Sequence, residues 1–435
     1  MEITTSTVNS IWQKSKLLVK GLIIAVLVLL LLIPSFFIQD IIKERETRQK
    51  EAVAEVSSKW AGKQTITGPM LVVPYEEKVV NGSNTTVLRQ LAYFLPSKLD
   101  IKAKATPEKR YRGIYEVMLF TSTADIKGSF DPLPLAKLQL SPADMLWNEA
   151  YVCMSISDAR GLKDEMQLKW NDSSMILSPA AVNNSLSKEA FSSPVSLTAE
   201  EAGRPISFSA TVNLNGSEQL LFTPVGKETT VELQSAWPDP SFNGTQLPVS
   251  SAITDSGFVA KWKSLAHTRS FPQQWKNETV SMNGYSFGAD LIVPVNNYQK
   301  ILRSVKYAIL CILLTFTAFF LIETTNKKSV HPLQYALIGF ALVLFYTLLL
   351  SFSEYTGFNI AYAIAAIATT GLIGWFVKGL LGSAKLSMLL SIVLVLIYSY
   401  VFTILQVQDY ALLLGSVGLF LTLAVVMYFS RKIQW

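Results

Sequence analysis

Few residues in this 435-residue chain are of types that do chemistry, and their scarcity narrows the options. Only two histidines occur, His267 and His331, and only two cysteines, Cys153 and Cys311. Ser155 and Asp158 lie close in sequence. A nucleophilic triad built on them would have to recruit His267, the one histidine outside the apolar C-terminal third, and no Gly-x-Ser-x-Gly elbow is present. Two histidines cannot build a histidine-rich zinc site, and two distant cysteines give neither a thiolate metal site nor a disulfide framework. Phosphate-loop and dinucleotide fingerprints are absent from the sequence, so no cofactor and no catalytic or metal-binding residue is implied. What remains is charge chemistry. Asp158-Ala159-Arg160-Gly161 puts an acid and an arginine two apart before a glycine, which suits a turn held by a charge-assisted hydrogen bond. Its functional alternative is an anion or headgroup contact through Arg160. Arg303, Lys306, Glu354 and Asp409 form the second group, each at the edge of an apolar run.

Those runs are the elements that must position them. Residues 21–38 are an apolar stretch close to the ~20 residues needed to cross a bilayer core. Lys14, Lys16 and Lys20 precede it, and no small-x-small site follows, which predicts a retained anchor rather than a cleaved signal. Five more runs cover residues 305–322, 333–352, 358–377, 386–405 and 411–428. With the N-terminus cytoplasmic, the inner connections carry Lys327, Lys328, Lys378 and Lys385, and the tail carries Arg431 and Lys432. The outer connections, 353–357 and 406–410, carry no lysine or arginine, so six spans satisfy the positive-inside rule. Arg303, Lys306, Glu354 and Asp409 then share the external membrane level. They either form ion pairs that lock the bundle or are each solvated at the interface. No Asp, Glu, Lys, Arg or His interrupts the middle of a run, which disfavours ion-coupled transport.

Between the anchor and the bundle, residues 39–304 read as an exported domain. Residues 41–60 have a charged helical pattern, with Glu44/Arg48 and Glu46/Lys50 spaced four apart. After Gly62 the period changes to that of strands. Residues 70–75, 115–120 and 151–156 are short apolar runs, and Ile206, Phe208, Ala210, Val212 and Leu214 alternate with polar neighbours before an Asn215-Gly216 turn signal. Asn-x-Ser/Thr triplets such as Asn81-Gly82-Ser83 read as products of turn-rich composition rather than glycan acceptors. The expected fold class is a membrane α-helical bundle of about six helices plus a large antiparallel β-sandwich-like extracytoplasmic domain. Its parts are a tail and anchor (1–38), a β-rich domain with a leading helix (39–304) and a five-helix bundle (305–435). The formal charge of +6 is scattered, so nucleic acid is not an expected partner.

Specific phrases also carry a family likeness. They include Gln64-Thr65-Ile66-Thr67-Gly68-Pro69, Arg110-Tyr111-Arg112-Gly113-Ile114-Tyr115, Ser157-Asp158-Ala159-Arg160-Gly161 and Trp237-Pro238-Asp239-Pro240-Ser241-Phe242-Asn243-Gly244. In the bundle they include His331-Pro332-Leu333-Gln334-Tyr335 and Asp409-Tyr410-Ala411-Leu412-Leu413-Leu414-Gly415-Ser416. In these the sequence resembles the CreD family of bacterial inner-membrane proteins. The resemblance implies a multi-pass inner-membrane protein linked to envelope integrity and to a stress- or nutrient-linked regulon. It carries over no catalytic or binding residue. The expected function is a non-enzymatic envelope protein acting through its exported β domain, with membrane lipids and an envelope protein or glycolipid as partners. The alternative is a lipid- or amphiphile-handling transporter.

Overall fold

The computed structural model describes residues 5–81, 84–180, 190–277, 280–291, 296–326, 328–407 and 411–430, with backbone alone for residues 5–18, 80, 81, 84, 85, 296 and parts of 411–430. The chain divides into two compact units, Glu51–Val293 and a second made of Met1–Lys50 with Pro294–Trp435. One helix, α1 (Thr5–Trp60), has residues in both. It takes in the apolar run and the charged residues 41–60 without a break.

In the unit Glu51–Val293, the strands are β1 (Gln64–Asn81), β2 (Asn84–Phe94), β3 (Lys98–Arg112), β4 (Tyr115–Phe130), β5 (Tyr151–Ile156), β6 (Met166–Trp170), β7 (Ser173–Ala180) and β8 (Ala190–Pro194). After the short α2 (Ala199–Ala202) follow β9 (Ile206–Phe222), β10 (Glu228–Ser235), β11 (Ser241–Gly244), β12 (Ser250–Thr254), β13 (Gly257–Leu265), β14 (Gln274–Lys276) and β15 (Phe287–Leu291). The predicted strand segments lie in β1, β4, β5 and β9. The order β12-β13-β10-β3-β4-β9-β6-β7-β8-β5-β1-β2-β14 is one continuous path, with β15 on β9 and β11 on β15.

Two departures from the sequence reading have physical causes. The sheet is mixed rather than purely antiparallel, because β10 pairs parallel with β3 and β1 pairs parallel with β9. Parallel neighbours need long crossovers, and both pairs join strands far apart in sequence. Asn215-Gly216 does not end a strand, since β9 runs through it to Phe222. Gly216 is there for close approach: a Cβ would collide with the Phe120 ring and Gln64.

Two strands also decide between one core and two. β7 pairs with β6 through Leu177 and with β8 from Ser178, and β9 pairs with β4 through Ser217 and with β15 from Glu218. Strands shared in this way bend the sheet over a single core. Trp262 stacks on Phe287 at 5.8 Å with Phe242 edge-on at 5.7 Å, and Phe130 meets Phe208 at 5.4 Å, all within that one cluster or packed against it. The outer face is polar and paired across strands, as in Lys263–Glu228 (2.8 Å) and Thr230–Asp100 (2.6 Å). Arg269 is buried with no acid in contact among the described residues, donating to the carbonyls of Phe271 (2.6 Å) and Val225 (3.1 Å), and burial lowers its pKa to about 10.

The other unit holds most of α1 and α3 (Asn296–Lys306), α4 (Ala308–Thr325), α5 (Pro332–Thr356), α6 (Phe358–Leu381), α7 (Ala384–Gln406) and α8 (Ala411–Ser430). Among the described residues, α1 and α4–α7 are long and apolar enough to cross a membrane, and α8 occupies the sixth predicted run. Their outward faces are those of a lipid-solvated bundle. On α5 the exposed residues are Leu333, Leu337, Phe340 and Leu344, a stripe spaced at helical period. Small residues allow close helix approach inside: a Cβ at Gly339 would strike Leu31 and Phe316, and Ser387 Oγ donates to the Gly374 carbonyl at 2.6 Å. The second span, expected at 305–322, is α4, and an amphipathic helix precedes it. Tyr298, Ile301 and Val305 bury one face of α3, while Arg303 and Lys306 are exposed on the other.

Candidate functional site

α1 makes polar contacts within each of the two units. Within the helical unit, Lys20 stands one residue before the apolar run, and its ammonium pairs with the carboxylate of Glu323, in the last turn of α4. Glu323 is buried, and its acceptor capacity is well used. Its Oε1 also takes the Val330 backbone N–H (2.8 Å), and its Oε2 takes the Tyr335 hydroxyl (2.7 Å). Lys20 donates a second bond to the Val330 carbonyl at 2.8 Å. The Tyr335 ring lies under the ammonium at 5.8 Å and packs on Phe319 at 4.8 Å. With side-chain exposures of only 21% and 5%, this is a buried ion pair. Such pairs are tolerated only when the remaining donors and acceptors are satisfied, as they are here.

Sequence reasoning placed Glu323 at the start of a connecting loop. A detectable signal was the capping pattern His331-Pro332-Leu333-Gln334, which starts α5 only a short connection after α4. That connection folds the chain back so that the Val330 amide meets the carboxylate, and the backbone N–H of Lys328 returns to the Glu323 carbonyl at 3.1 Å.

A second contact in the same unit involves Glu354, near the end of α5. Arg45 of α1 lies 3.7 Å from its carboxylate and the Tyr298 hydroxyl of α3 at 3.4 Å. Among the described residues, the cation seen beside Glu354 is Arg45 of α1, and two more expected near it are Arg303 and Lys306. Those two occupy the exposed face of α3, away from the side that carries Tyr298. Asp409, Lys327, Arg431 and Lys432 lie outside the described residues, as do the side chains of Lys14 and Lys16.

Within the β unit, the end of α1 is held by Asp158 and Arg160. Asp158 caps a short 3-10 turn, Ala159–Gly161, and meets the Arg160 guanidinium in a two-pronged contact of 2.8 and 2.7 Å. The Gly62 N–H, just past α1, donates to the same carboxylate at 2.8 Å. Arg160 Nη1 donates to the Ser58 carbonyl at 2.6 Å, so a cation caps the C-terminal carbonyls of the helix where the dipole favours it. The Gln64 side chain closes the knot, donating to the carbonyls of Asp158 (3.0 Å) and Asn215 (2.9 Å). The Arg160 hydrogen bonds and the Gly62 N–H outweigh burial and hold the Asp158 carboxyl at about 2, below its ordinary 3.8. Glu55 pairs with Arg112 at 3.0 Å.

Ser155 is buried in β5, Asp158 is engaged by Arg160, and His267 is exposed on a turn at Ala266–Thr268.

Set beside known proteins, residues 16–435 match the family model described as inner membrane protein CreD. The chain belongs to the CreD family. Inner membrane protein CreD of Escherichia coli (strain K12) is 31% identical over 417 residues, covering 94% of this chain and 91% of that relative. As a CreD-family inner-membrane protein, this chain combines apolar helices fit to cross a bilayer with a large, mostly antiparallel β unit.

Proposed function

We propose that this CreD-family protein is a non-enzymatic partner-binding protein that supports the cell envelope, with its β unit exported and both termini cytoplasmic. The orientation rests on the charge pattern. Lys20, Lys378 and Lys385 fall at helix ends on the proposed inner side, and the α5–α6 connection at Gly357 carries no cation. The engaged states of Asp158 and Arg160 and the exposure of His267 support a binding rather than a catalytic reading.

The observation that carries partner binding is the edge strand β12. It ends the strand order, pairs only with β13 among the described residues, and is exposed along its whole length. Leu247 and Val249, just before it, are 77% and 74% exposed, and Ile253 within it is 53% exposed. A free edge offers a row of unpaired backbone donors and acceptors, and side chains such as these add apolar contact for an incoming strand. The occupant that fits is an extended segment of an envelope protein.

The test is a photoreactive residue at Ser251 or Ile253 of the full chain in its native membrane. One discrete protein adduct, lost when Val249→Glu and Ile253→Glu charge the edge, is the expected result. Lipid or glycolipid adducts in place of protein would replace this reading with amphiphile handling. Absence of any adduct at both positions would remove the edge as a binding site.

A further inference from the structure

Tyrosines of membrane proteins gather at the two interfaces, where the ring is apolar and the hydroxyl wet. Here Tyr346 and Tyr398 lie well inside α5 and α7, and both are buried among helices. Four successive helices each send one polar side chain to the same place: Cys311 from α4, Tyr346 from α5, Tyr362 from α6 and Tyr398 from α7. Phe345 gathers the rings, with its centroid 4.9 Å from Tyr346, 5.2 Å from Tyr362 and 4.6 Å from Tyr398. The Tyr362 hydroxyl is satisfied by the Tyr398 carbonyl at 2.8 Å. The other two are not well satisfied: among the described residues no nitrogen or oxygen meets the hydroxyl of Tyr346 or of Tyr398 in good hydrogen-bond geometry, although each residue is buried. The Cys311 thiol, a weak partner at best, lies beside Tyr346, and Thr369 lies beside Tyr398.

A buried tyrosine hydroxyl usually finds a partner, because leaving it dry costs about 1–3 kcal/mol. Two such groups, on rings that pack against the same Phe345, point to a shared ligand. The four side chains carry no charge, which argues against an ion. Both hydroxyls donate and accept, and Thr369 and Cys311 add further polar atoms, which matches the two to four partners of an internal water. We propose that this four-helix knot is a hydrated site, in which ordered water bridges the hydroxyls of Tyr346 and Tyr398 inside the bundle. Its bridge joins α5 to α7, so hydration helps to hold the helices together.

X-ray hydroxyl-radical footprinting of the full chain in nanodiscs tests this, because radicals made from bound water mark the side chains that water touches. Tyr335 is the internal control, being equally buried with its hydroxyl taken by Glu323. The expected result is oxidation of Tyr346 and Tyr398 several-fold faster than of Tyr335, with Cys311 oxidation falling in the Tyr346→Phe, Tyr398→Phe double variant. Labelling of Tyr346 and Tyr398 at or below the rate of Tyr335 would overturn the proposal. Thermal melts give a second readout. A hydrated site predicts that each single Phe variant melts lower than the parent and that the losses are non-additive. Phe variants that melt at or above the parent would mean dry, unpaired hydroxyls.

Discussion

Lys20 and Arg160 both hold α1 in place, one from within the helix and one onto its end, yet they do so in different surroundings. The Lys20–Glu323 pair is enclosed by Tyr335, Val330 and the neighbouring helices, and both partners are largely hidden from solvent. The Asp158–Arg160 pair has a buried acid and a cation that is 61% exposed. The first is therefore a matter of satisfaction: each group is tolerable only because the other is present. The second is a matter of geometry, in which an exposed guanidinium is useful because its fork spans a carboxylate and a helix carbonyl at once.

Breaking the enclosed pair should have the largest effect. Glu323→Ala leaves an ammonium and a tyrosine hydroxyl without their acceptor, and the expected loss is about 3–5 kcal/mol, read as a lower melting midpoint in detergent. The Lys20→Met, Glu323→Leu double variant sharpens the point. It should recover part of that loss, since the uncompensated ammonium is gone, while the Tyr335 hydroxyl and the Val330 N–H stay without their acceptor. A double variant as unstable as the single one would show that the network positions the α4–α5 connection by more than charge.

The next effect belongs to Asp158. Its carboxyl is held at about 2, below its ordinary 3.8, so its contribution is complete above the ordinary value and drains away as pH falls through the depressed one. Asp158→Asn should cost about 1–2 kcal/mol near neutral pH, after allowance for the exposure of Arg160. The gap between parent and variant should narrow as pH falls from 3.8 toward 2. Melting curves across that range check it, and a gap indifferent to pH would mean that the carboxylate charge contributes nothing.

A smaller change is expected for Arg45→Ala. Arg45 is 44% exposed and sits 3.7 Å from Glu354, so a loss of about 0.2–1 kcal/mol is expected, fading as salt is raised. A loss as large as that of Glu323→Ala would place this contact in the enclosed class. Smallest is Arg112→Ala, where the Glu55 partner is itself 40% exposed and solvent screens the pair, so the melting midpoint is expected to stay within error of the parent.

These differences also explain what could be read from the sequence. Hydropathy placed the spans because lipid demands an unbroken apolar run, and alternation placed β9 because one of its faces is buried. The local pair Asp158–Arg160 was visible because its members are two residues apart. Its more distant partners Ser58, Gly62 and Gln64 were not, since nothing local ties position 158 to position 62. The parallel pairings of β1 with β9 and β3 with β10 are non-local for the same reason. Glu323 was read as a loop residue because a carboxylate at the end of an apolar run normally marks the run's edge. Tyr346 and Tyr398 drew no reading from the sequence, because period and hydropathy do not register how a hydroxyl is satisfied.

The spacing of Lys20 and Glu323 also bears on how the chain is made. Their positions differ by 303 residues, with the whole β unit between them. At about 5–20 residues per second, a ribosome needs roughly 15–60 seconds to supply the carboxylate after the lysine has appeared. For that interval the cation of the first helix is without Glu323. A lysine at the edge of the apolar run, able to extend its long stem to the headgroups, endures that wait where one at the centre would not. The position of Lys20 thus suits the half-synthesised chain as well as the finished one, and the final locking of the first helix is deferred until α4 arrives.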